Sequence, residues 1–409
     1  MTIVKHLVST TASATLDRRS FLVATGGITA GLIVGFSSAH AVAATGDGTF
    51  NPFVQIAPDG TVTVLCKHLD KGQGTLTGVA VLVAEELDAD WSTMRGEHAP
   101  ADASRYGNTL FGGAQGTGGS TGIPDSYLKY RQAGAAARAM LVAAAAKAWG
   151  VEPGEIAVEN GVLSHASGQS AGFGELAAAA SAETPPEEAA LKAPEAFRLI
   201  GKPGYRRLDG PAKARGQVVY TQDIHLPGML TAVLARSPRF GGKVASFDAT
   251  AALAIPGVRE VVQTPQGVAV LADATWPAIQ GRDALEITWD DSEAETRSTD
   301  AIMASYLEIA EEPGLPVVSE GEADAALEGA ATVLEATFEF PFLAHTPMEP
   351  MNAVVDLTPG ESLEIWTGSQ FQTADQMNTA PIAGIAPEQV KINTVFAGGS
   401  FGRRTTPAS

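Results

Sequence analysis

Phe396-Ala397-Gly398-Gly399-Ser400-Phe401-Gly402-Arg403-Arg404, close to the end of the 409-residue chain, is the stretch whose reading decides the rest. A strand-like run, Val390 to Phe396, feeds three glycines, one aromatic and two arginines into a single turn. Glycine adopts positive φ and lets ligand atoms approach the backbone, so consecutive amides can face one concavity and hold an anion. Arg403 and Arg404 add permanently charged, forked donors suited to a phosphate. Taken alone, the nine residues fit equally well a glycine-rich β-turn carrying two solvated arginines.

A second glycine element lies near the other end of the chain. Phe50 to Ile56, a Pro58-Asp59-Gly60 turn and the alternating Thr61-Val62-Thr63-Val64-Leu65 read as a hairpin. Its second strand runs into Lys67-His68-Leu69-Asp70-Lys71-Gly72-Gln73-Gly74-Thr75, and Leu76, Val79, Val83 and Leu87 mark the buried face of a following helix. Strand, Gly72-Gln73-Gly74, helix N-terminus is an order that favours an anionic ligand. Gln73 can offer an amide donor and an acceptor to a heterocycle. A plain strand-to-helix turn explains the same triplet.

Between these elements the chain divides by composition. Residues 1 to 44 read as a targeting segment: Asp17-Arg18-Arg19-Ser20-Phe21-Leu22 is a twin-arginine motif, followed by a mildly apolar run to Phe36 and small-residue cleavage signals at Ala39-His40-Ala41 and Ala41-Val42-Ala43. The alternative is an uncleaved N-terminal anchor. Phe111 to Gly122 is glycine-rich but lacks the spacing and the acidic residue of a dinucleotide fingerprint, and a flexible loop explains it as well. An alanine-rich helix follows, Asp125 to Trp149, then a hairpin over Ile156 to His165 turning at Asn160-Gly161. Thr184 to Gly204, rich in Pro, Glu, Ala and Lys, reads as a linker crossing between domains. Residues 205 to 290 read as a compact unit of short strands, among them Gln217 to Thr221, with two brief helices. Acidic helices over about 299–312 and 321–328 precede a strand at Thr332 to Phe340 and a proline-broken segment from Phe342 to Ala353, in which His345 and Glu349 are candidates to line a substrate pocket. A structural role suits both as well.

Composition bounds the function. With 45% hydrophobic and 18% charged residues the chain reads as globular, and a formal net charge of -19 argues against a nucleic-acid partner, which requires a basic face. Cys66 is the only cysteine, so this chain builds neither an internal disulfide nor a four-cysteine iron-sulfur cluster. Zincin, nucleophile-elbow and Walker motifs are missing from the sequence. No catalytic residue and no protein-ligated metal site are assigned.

In this order the motifs resemble the molybdopterin-binding subunits of the xanthine dehydrogenase and aldehyde oxidase family, particularly the exported branch of isoquinoline 1-oxidoreductase β subunits and related aldehyde dehydrogenases. Gly398-Gly399-Ser400-Phe401-Gly402-Arg403-Arg404 is similar to that branch's cofactor loop, Lys67 to Gly78 to its Gly-Gln-Gly element, and Met348-Glu349-Pro350-Met351-Asn352-Ala353 to a further family segment. The resemblance implies an α+β fold in which molybdopterin-binding pieces flank an α/β hammerhead domain. The implied partition is a twin-arginine signal over 1–44, a first molybdopterin-binding region over 45–183, a linker over 184–204, the hammerhead over 205–292 and the start of a second molybdopterin-binding region over 293–409. Gly72, Gln73, Gly74, Gly398, Gly399, Phe401, Gly402 and Arg403 are the implied cofactor contacts.

The implied cofactor is a molybdenum cofactor, expected as the molybdopterin cytosine dinucleotide. The implied reaction is hydroxylation of an aldehyde or N-heterocycle with oxygen from water, assisted by a carboxylate base. Electrons would leave through a small [2Fe-2S] partner subunit, with a cytochrome c as acceptor beyond it, in the periplasm after twin-arginine export. Family chains continue well past the Phe-Gly-Arg-Arg loop, and the catalytic glutamate lies there. The expectation is therefore a fragment of a longer subunit, with a catalytically inactive binding or scaffold remnant as the alternative. A flavin or nicotinamide enzyme using residues 112–122 is a weaker rival.

Overall fold

The structure, a computed structural model, describes residues 32–35, 52–180 and 182–405. The targeting segment lies outside the described residues apart from Leu32–Gly35, which forms strand β1 and pairs antiparallel with β2, Pro52–Ile56. Those four residues are sheet residues here, a role the targeting reading did not give them. Across the Pro58-Asp59-Gly60 turn, where Gly60 has φ 84°, β2 pairs antiparallel with β3, Val62–Cys66. Helix α1, Thr75–Leu87, then crosses over and delivers β4, Met94–His98, parallel to β3. The short helix α2, Ala103–Tyr106, and the long helix α3, Gly122–Trp149, follow.

The core of this part lies between the sheet and the pair α1 and α3. Leu76, Val79, Val83 and Leu87 are all buried, as their spacing predicts, and face Ala133, Ala136, Ala137, Met140 and Leu141 of α3. Small residues set how closely these helices approach. A Cβ at Gly134 would stand 2.5 Å from the Val83 carbonyl oxygen, so only glycine fits the crossing.

Strands β5, Ile156–Glu159, β6, Val162–His165, and β7, Ser170–Gly172, form a separate antiparallel sheet ahead of α4, Phe173–Ala180. Asn160 and Gly161 both hold positive φ, 48° and 78°, which is the type I′ turn that Asn-Gly favours. Residues 184–204 do not cross between domains as a loose linker. They are strapped to α1: the buried Glu85 carboxylate accepts from the N–H groups of Arg198, Leu199 and Ile200, and Glu86 accepts from that of Lys192. Burial raises the pKa of Glu85, but these N–H groups and the Lys192 ammonium outweigh it and hold the carboxyl below its ordinary value.

The separate compact unit begins at His225 rather than at 205 and runs to Ala344. The reason is local: Gly210–Ala214 forms α5, and Arg207, Asp209 and Lys213 are tied to the Gly72–Gly74 turn, leaving 205–224 with the first body. Gln217 to Thr221 is accordingly not a strand; it ends in a 3-10 turn at Thr221–Asp223. Within the unit, β8 (Thr231–Ala235), β10 (Val258–Thr264) and β11 (Gly267–Ala272) make an antiparallel sheet in the order β10-β11-β8. Strand β9 (Lys243–Asp248), preceding α6 (Thr250–Leu253), pairs with β12 (Glu286–Asp290). Helix α7, Thr275–Asp283, packs on the three-stranded sheet through Gly281, where a Cβ would lie 2.7 Å from Val270. Helices α8, Thr299–Ala310, and α9, Ala323–Glu328, follow. The strand expected over Thr332 to Phe340 does not form, because among the described residues nothing pairs with it.

The chain then returns to the first body. Strand β13, Val354–Thr358, pairs antiparallel with β14, Ser362–Thr367. Helix α10, Gln372–Ala383, crosses over to β15, Val390–Thr394, parallel to β14. Leu363, Ile365, Val390, Ile392 and Ala380 form its small core. The whole is α+β, and two strand-crossover-strand units, β3-α1-β4 and β14-α10-β15, place the glycine-rich elements.

Candidate functional site

The first glycine element leaves β3 and enters α1 through backbone that only glycine adopts easily: φ is 114° at Gly72 and 95° at Gly74. Side chains hold the turn from inside. Asp70 is fully buried, and its carboxylate accepts from the N–H of Gly72 at 2.9 Å and of Leu76 at 3.0 Å. The Gln73 side chain folds back on its own turn, accepting from the Lys71 N–H and donating to the Leu69 carbonyl and the Thr75 hydroxyl. Arg207 then donates to the Gly72 carbonyl at 2.8 Å and pairs with Asp209, which Lys213 also reaches at 2.5 Å. Burial lifts the pKa of Asp209, yet Arg207 and Lys213 outweigh it and hold the carboxyl below its ordinary value.

One layer below, Lys67 and His68 are buried against Asp125 at the start of α3. Burial pushes the Lys67 ammonium down to about 8 against the opposing pull of Asp125. Its Nζ also donates to the Gly107 carbonyl at 3.0 Å. These contacts anchor the foot of the turn and leave Lys71 at its rim.

The second element, 396–404, has φ 102° at Gly399, 52° at Phe401 and 89° at Gly402. Phe401 is a non-glycine residue in left-handed backbone and is 68% exposed. Glu349 organises the loop: its Oε2 accepts from the Gly398 N–H at 2.8 Å and from Arg404 at 2.8 Å, and its own N–H donates to the Gly398 carbonyl. The Arg404 and Glu349 side chains are only 4% and 9% exposed. Arg404 also donates to the Gly399 carbonyl at 2.9 Å. The Ser400 hydroxyl bonds the Gln370 side chain, whose amide donates to the Thr117 carbonyl at 2.6 Å.

These bonds bring the two elements together. Phe396 lies edge-on to His98, with ring centroids 5.0 Å apart, and the Lys213 ammonium stands 4.5 Å over the same ring. His98, at the end of β4, accepts from the Asp70 N–H at 2.9 Å and is hydrogen-bonded to the Thr394 backbone. It therefore bridges the first glycine turn to the strand feeding the second. Burial drives its pKa down to about 4, so the ring is neutral near pH 7. Burial also lowers the pKa of Lys71, and the Arg404 guanidinium nearby lowers it further. A half-buried ammonium beside a turn of open glycine backbone favours an anion there.

Of the residues singled out from the sequence, Gly72, Gly74, Gly399 and Gly402 occupy positive-φ positions in these turns, and Gly398 and Phe401 lie in the same loop. Gln73 is engaged in the turn itself, and Arg403 is exposed while its neighbour Arg404 is buried. Glu349 is committed to Gly398 and Arg404, whereas His345 is exposed. The strap over 111–122 is not a loose loop, because Gln115 and Thr117 bond Thr373 and Gln370, and a Cβ at Gly116 would meet Phe371 at 2.8 Å. Sequence reasoning missed Asp70, Lys71, His98, Arg207, Lys213 and Gln370. Asp70 and Lys71 sat inside the quoted motif; the others had no local signal. Among the described residues no cluster of three or more His, Cys, Asp or Glu is placed to hold a metal ion.

Two glycine turns, held from inside by the buried carboxylates of Asp70 and Glu349 and flanked by Lys71, are the candidate site. Residues 19–222 and 309–409 each match a family of molybdopterin cofactor-binding domains. The chain belongs to the molybdopterin-binding large subunits of the xanthine dehydrogenase and aldehyde oxidase family. It is 31% identical to the beta chain of isoquinoline 1-oxidoreductase from Brevundimonas diminuta, over 98% of this chain and 58% of that protein. It is 33% identical to a membrane-bound aldehyde dehydrogenase [pyrroloquinoline-quinone] of Gluconacetobacter polyoxogenes, over 96% of this chain and 52% of that protein. A nicotinate dehydrogenase subunit of Pseudomonas putida is 28% identical, over 86% of this chain and 30% of that protein. The chain thus spans about half the length of the curated relatives it matches.

Proposed function

We propose that this chain is the part of a molybdenum hydroxylase large subunit that holds the molybdenum cofactor, in an enzyme that oxidises an aldehyde or an N-heterocycle with water as the oxygen source. The observation that carries this reading is the link between the segment of the Gly72–Gly74 turn and that of the Gly398–Arg404 loop through His98, which bonds the Asp70 N–H and packs on Phe396. The donor set fits the group: the backbone of two glycine turns and the half-buried Lys71 ammonium suit a pyrophosphate-bearing pterin. Gly72, Gly74, Gly398, Gly399 and Gly402 would give it backbone access, Lys71 would meet its negative charge, and Phe401 would present an aromatic face. When bound, the cofactor supplies the two-electron redox centre at which the substrate carbon gains oxygen.

The residues of this chain bind and orient. Asp70 and Glu349 fix the two turns before any ligand arrives, which lowers the ordering cost of binding. Neutral His98 holds the spacing between them without adding charge. We further propose the cytosine dinucleotide form of the pterin, a [2Fe-2S] partner subunit passing electrons to a cytochrome c, and twin-arginine export to the periplasm. The subunit designations in the names of two relatives support a partner subunit, the single cysteine of this chain is consistent with an iron-sulfur centre carried elsewhere, and the Arg18-Arg19 motif supports export.

Expression with the partner subunit in a host that makes the cofactor tests the central claim. Molybdenum measured by elemental analysis should approach one atom per chain. A well-folded, metal-free product would refute it.

A further inference from the structure

Leu69 immediately precedes Asp70, whose carboxylate holds the Gly72–Gly74 turn, and its N–H donates to the Thr117 hydroxyl at 2.9 Å. The His68 ring donates through Nδ1 to the neighbouring Gly116 carbonyl at 3.2 Å. The strap that supplies both acceptors is fastened on its other side to the corner between β14 and α10. There the Thr117 N–H donates to the Gln370 carbonyl at 2.8 Å, and the Gln370 side-chain amide donates back to the Thr117 carbonyl at 2.6 Å. The same Gln370 side chain accepts from the Ser400 hydroxyl, inside the second glycine loop. Leu69, Thr117, Gln370 and Ser400 are all buried, so water does not compete for these bonds.

An unbroken run of buried hydrogen bonds therefore leads from one glycine turn to the other, and Thr117 is its midpoint. We propose that Thr117 is a positioning residue whose hydroxyl couples the two turns, so that order imposed at one by a bound anion is passed to the other. The part of this that concerns an anion rests on the reading of the turns as a cofactor cradle; the coupling rests on the bonds alone. Its two states are the Leu69–Thr117 bond made and broken. When it breaks, the Leu69 N–H stays buried without that acceptor, which is costly, so loosening the strap penalises the first turn. Coupling of this kind is reciprocal, and loosening the first turn penalises the strap and the Ser400 loop by the same amount. The contact of His98 with Phe396 is a separate link that Thr117 does not share.

Amide hydrogen exchange on the full chain tests this. Thr117→Val keeps the side-chain volume and removes the hydroxyl. Exchange at Leu69 should rise about tenfold, because that N–H loses its acceptor. The deciding readout is at Gly398 and Arg403, whose N–H groups bond Glu349 and the Ser400 carbonyl rather than Thr117; there exchange should rise about threefold or more. Thr117→Ser, which retains a hydroxyl, should restore both. From the opposite end, Ser400→Ala should raise exchange at Leu69, and this variant decides the matter should Thr117→Val not fold. The double variant should be no worse at Leu69 than the worse single one, since both cut the same run of bonds. A rise confined to Leu69 in Thr117→Val, no rise at Leu69 in Ser400→Ala, or additive effects in the double variant would each overturn the coupling and leave Thr117 a local clip. The readout requires no molybdenum, so its failure leaves the cofactor reading standing, and a metal-free product leaves the coupling standing.

Discussion

Replacing Glu349 tests how the second glycine loop is held. In Glu349→Ala the Gly398 N–H loses its acceptor and the Arg404 guanidinium, 4% exposed, loses its counter-charge. Removing one member of a buried pair costs about 3–5 kcal/mol, because the remaining charge stays buried without compensation. Part of that is relieved here, since Arg404 keeps its bond to the Gly399 carbonyl. A loss of about 3 kcal/mol, at the lower end of that range, corresponds to roughly a 150-fold rise in local opening. Hydrogen exchange at Gly398 and Arg404 measures it, with β5 to β7 as an internal reference. Glu349→Gln retains an oxygen for the Gly398 N–H and should lose only about 1–2 kcal/mol. The double variant Glu349→Ala/Arg404→Met should open less than Glu349→Ala alone, because no buried charge remains. Exchange in Glu349→Ala within threefold of the parent, or a double variant worse than the single, would refute the assignment.

Other consequences can be measured separately. Because the folded pKa of His98 lies near 4, below the ordinary value, its contribution is present above about pH 6.5 and is lost as pH falls toward 4; NMR titration should find the ring neutral at pH 6, and a midpoint near 6.5 would contradict the bridge. Glu85→Ala should release the 198–200 strap at a cost of about 3 kcal/mol, read as new proteolytic cleavage within 184–204, since one buried carboxylate satisfies three backbone N–H groups there. Gly398→Ala should lower molybdenum occupancy severalfold, because its Cβ would stand 2.5 Å from that of Glu349; full occupancy would show that the loop is not held as described.

Much of the local architecture was legible in the sequence. The periodicity of Leu76, Val79, Val83 and Leu87, the Asn160-Gly161 turn and the two glycine clusters each carry a short-range physical signal, and each appears in its expected element. The readings that failed depended on contacts distant in sequence. Residues 184–204 looked like a linker because Pro, Glu and Ala carry no packing pattern, yet Glu85, far upstream, supplies the acceptors that fix them. The run 332–340 has strand composition, but a strand exists only when something pairs with it.

The site divides along the same line. The sequence by itself determined which backbone could approach a ligand, since a glycine's freedom at positive φ is a property of that residue alone. It also placed cations beside those glycines. Tertiary structure alone decided that His98 links Asp70, before the 72–74 turn, to Phe396, before the 398–402 loop, that Arg404 is buried while Arg403 is exposed, and that Arg207 bonds the Gly72 carbonyl while Lys213 stands over Phe396. Arg207 with Gly72, His98 with Phe396 and Lys213 with Phe396 are more than a hundred positions apart, and only folding into one body brings them into contact.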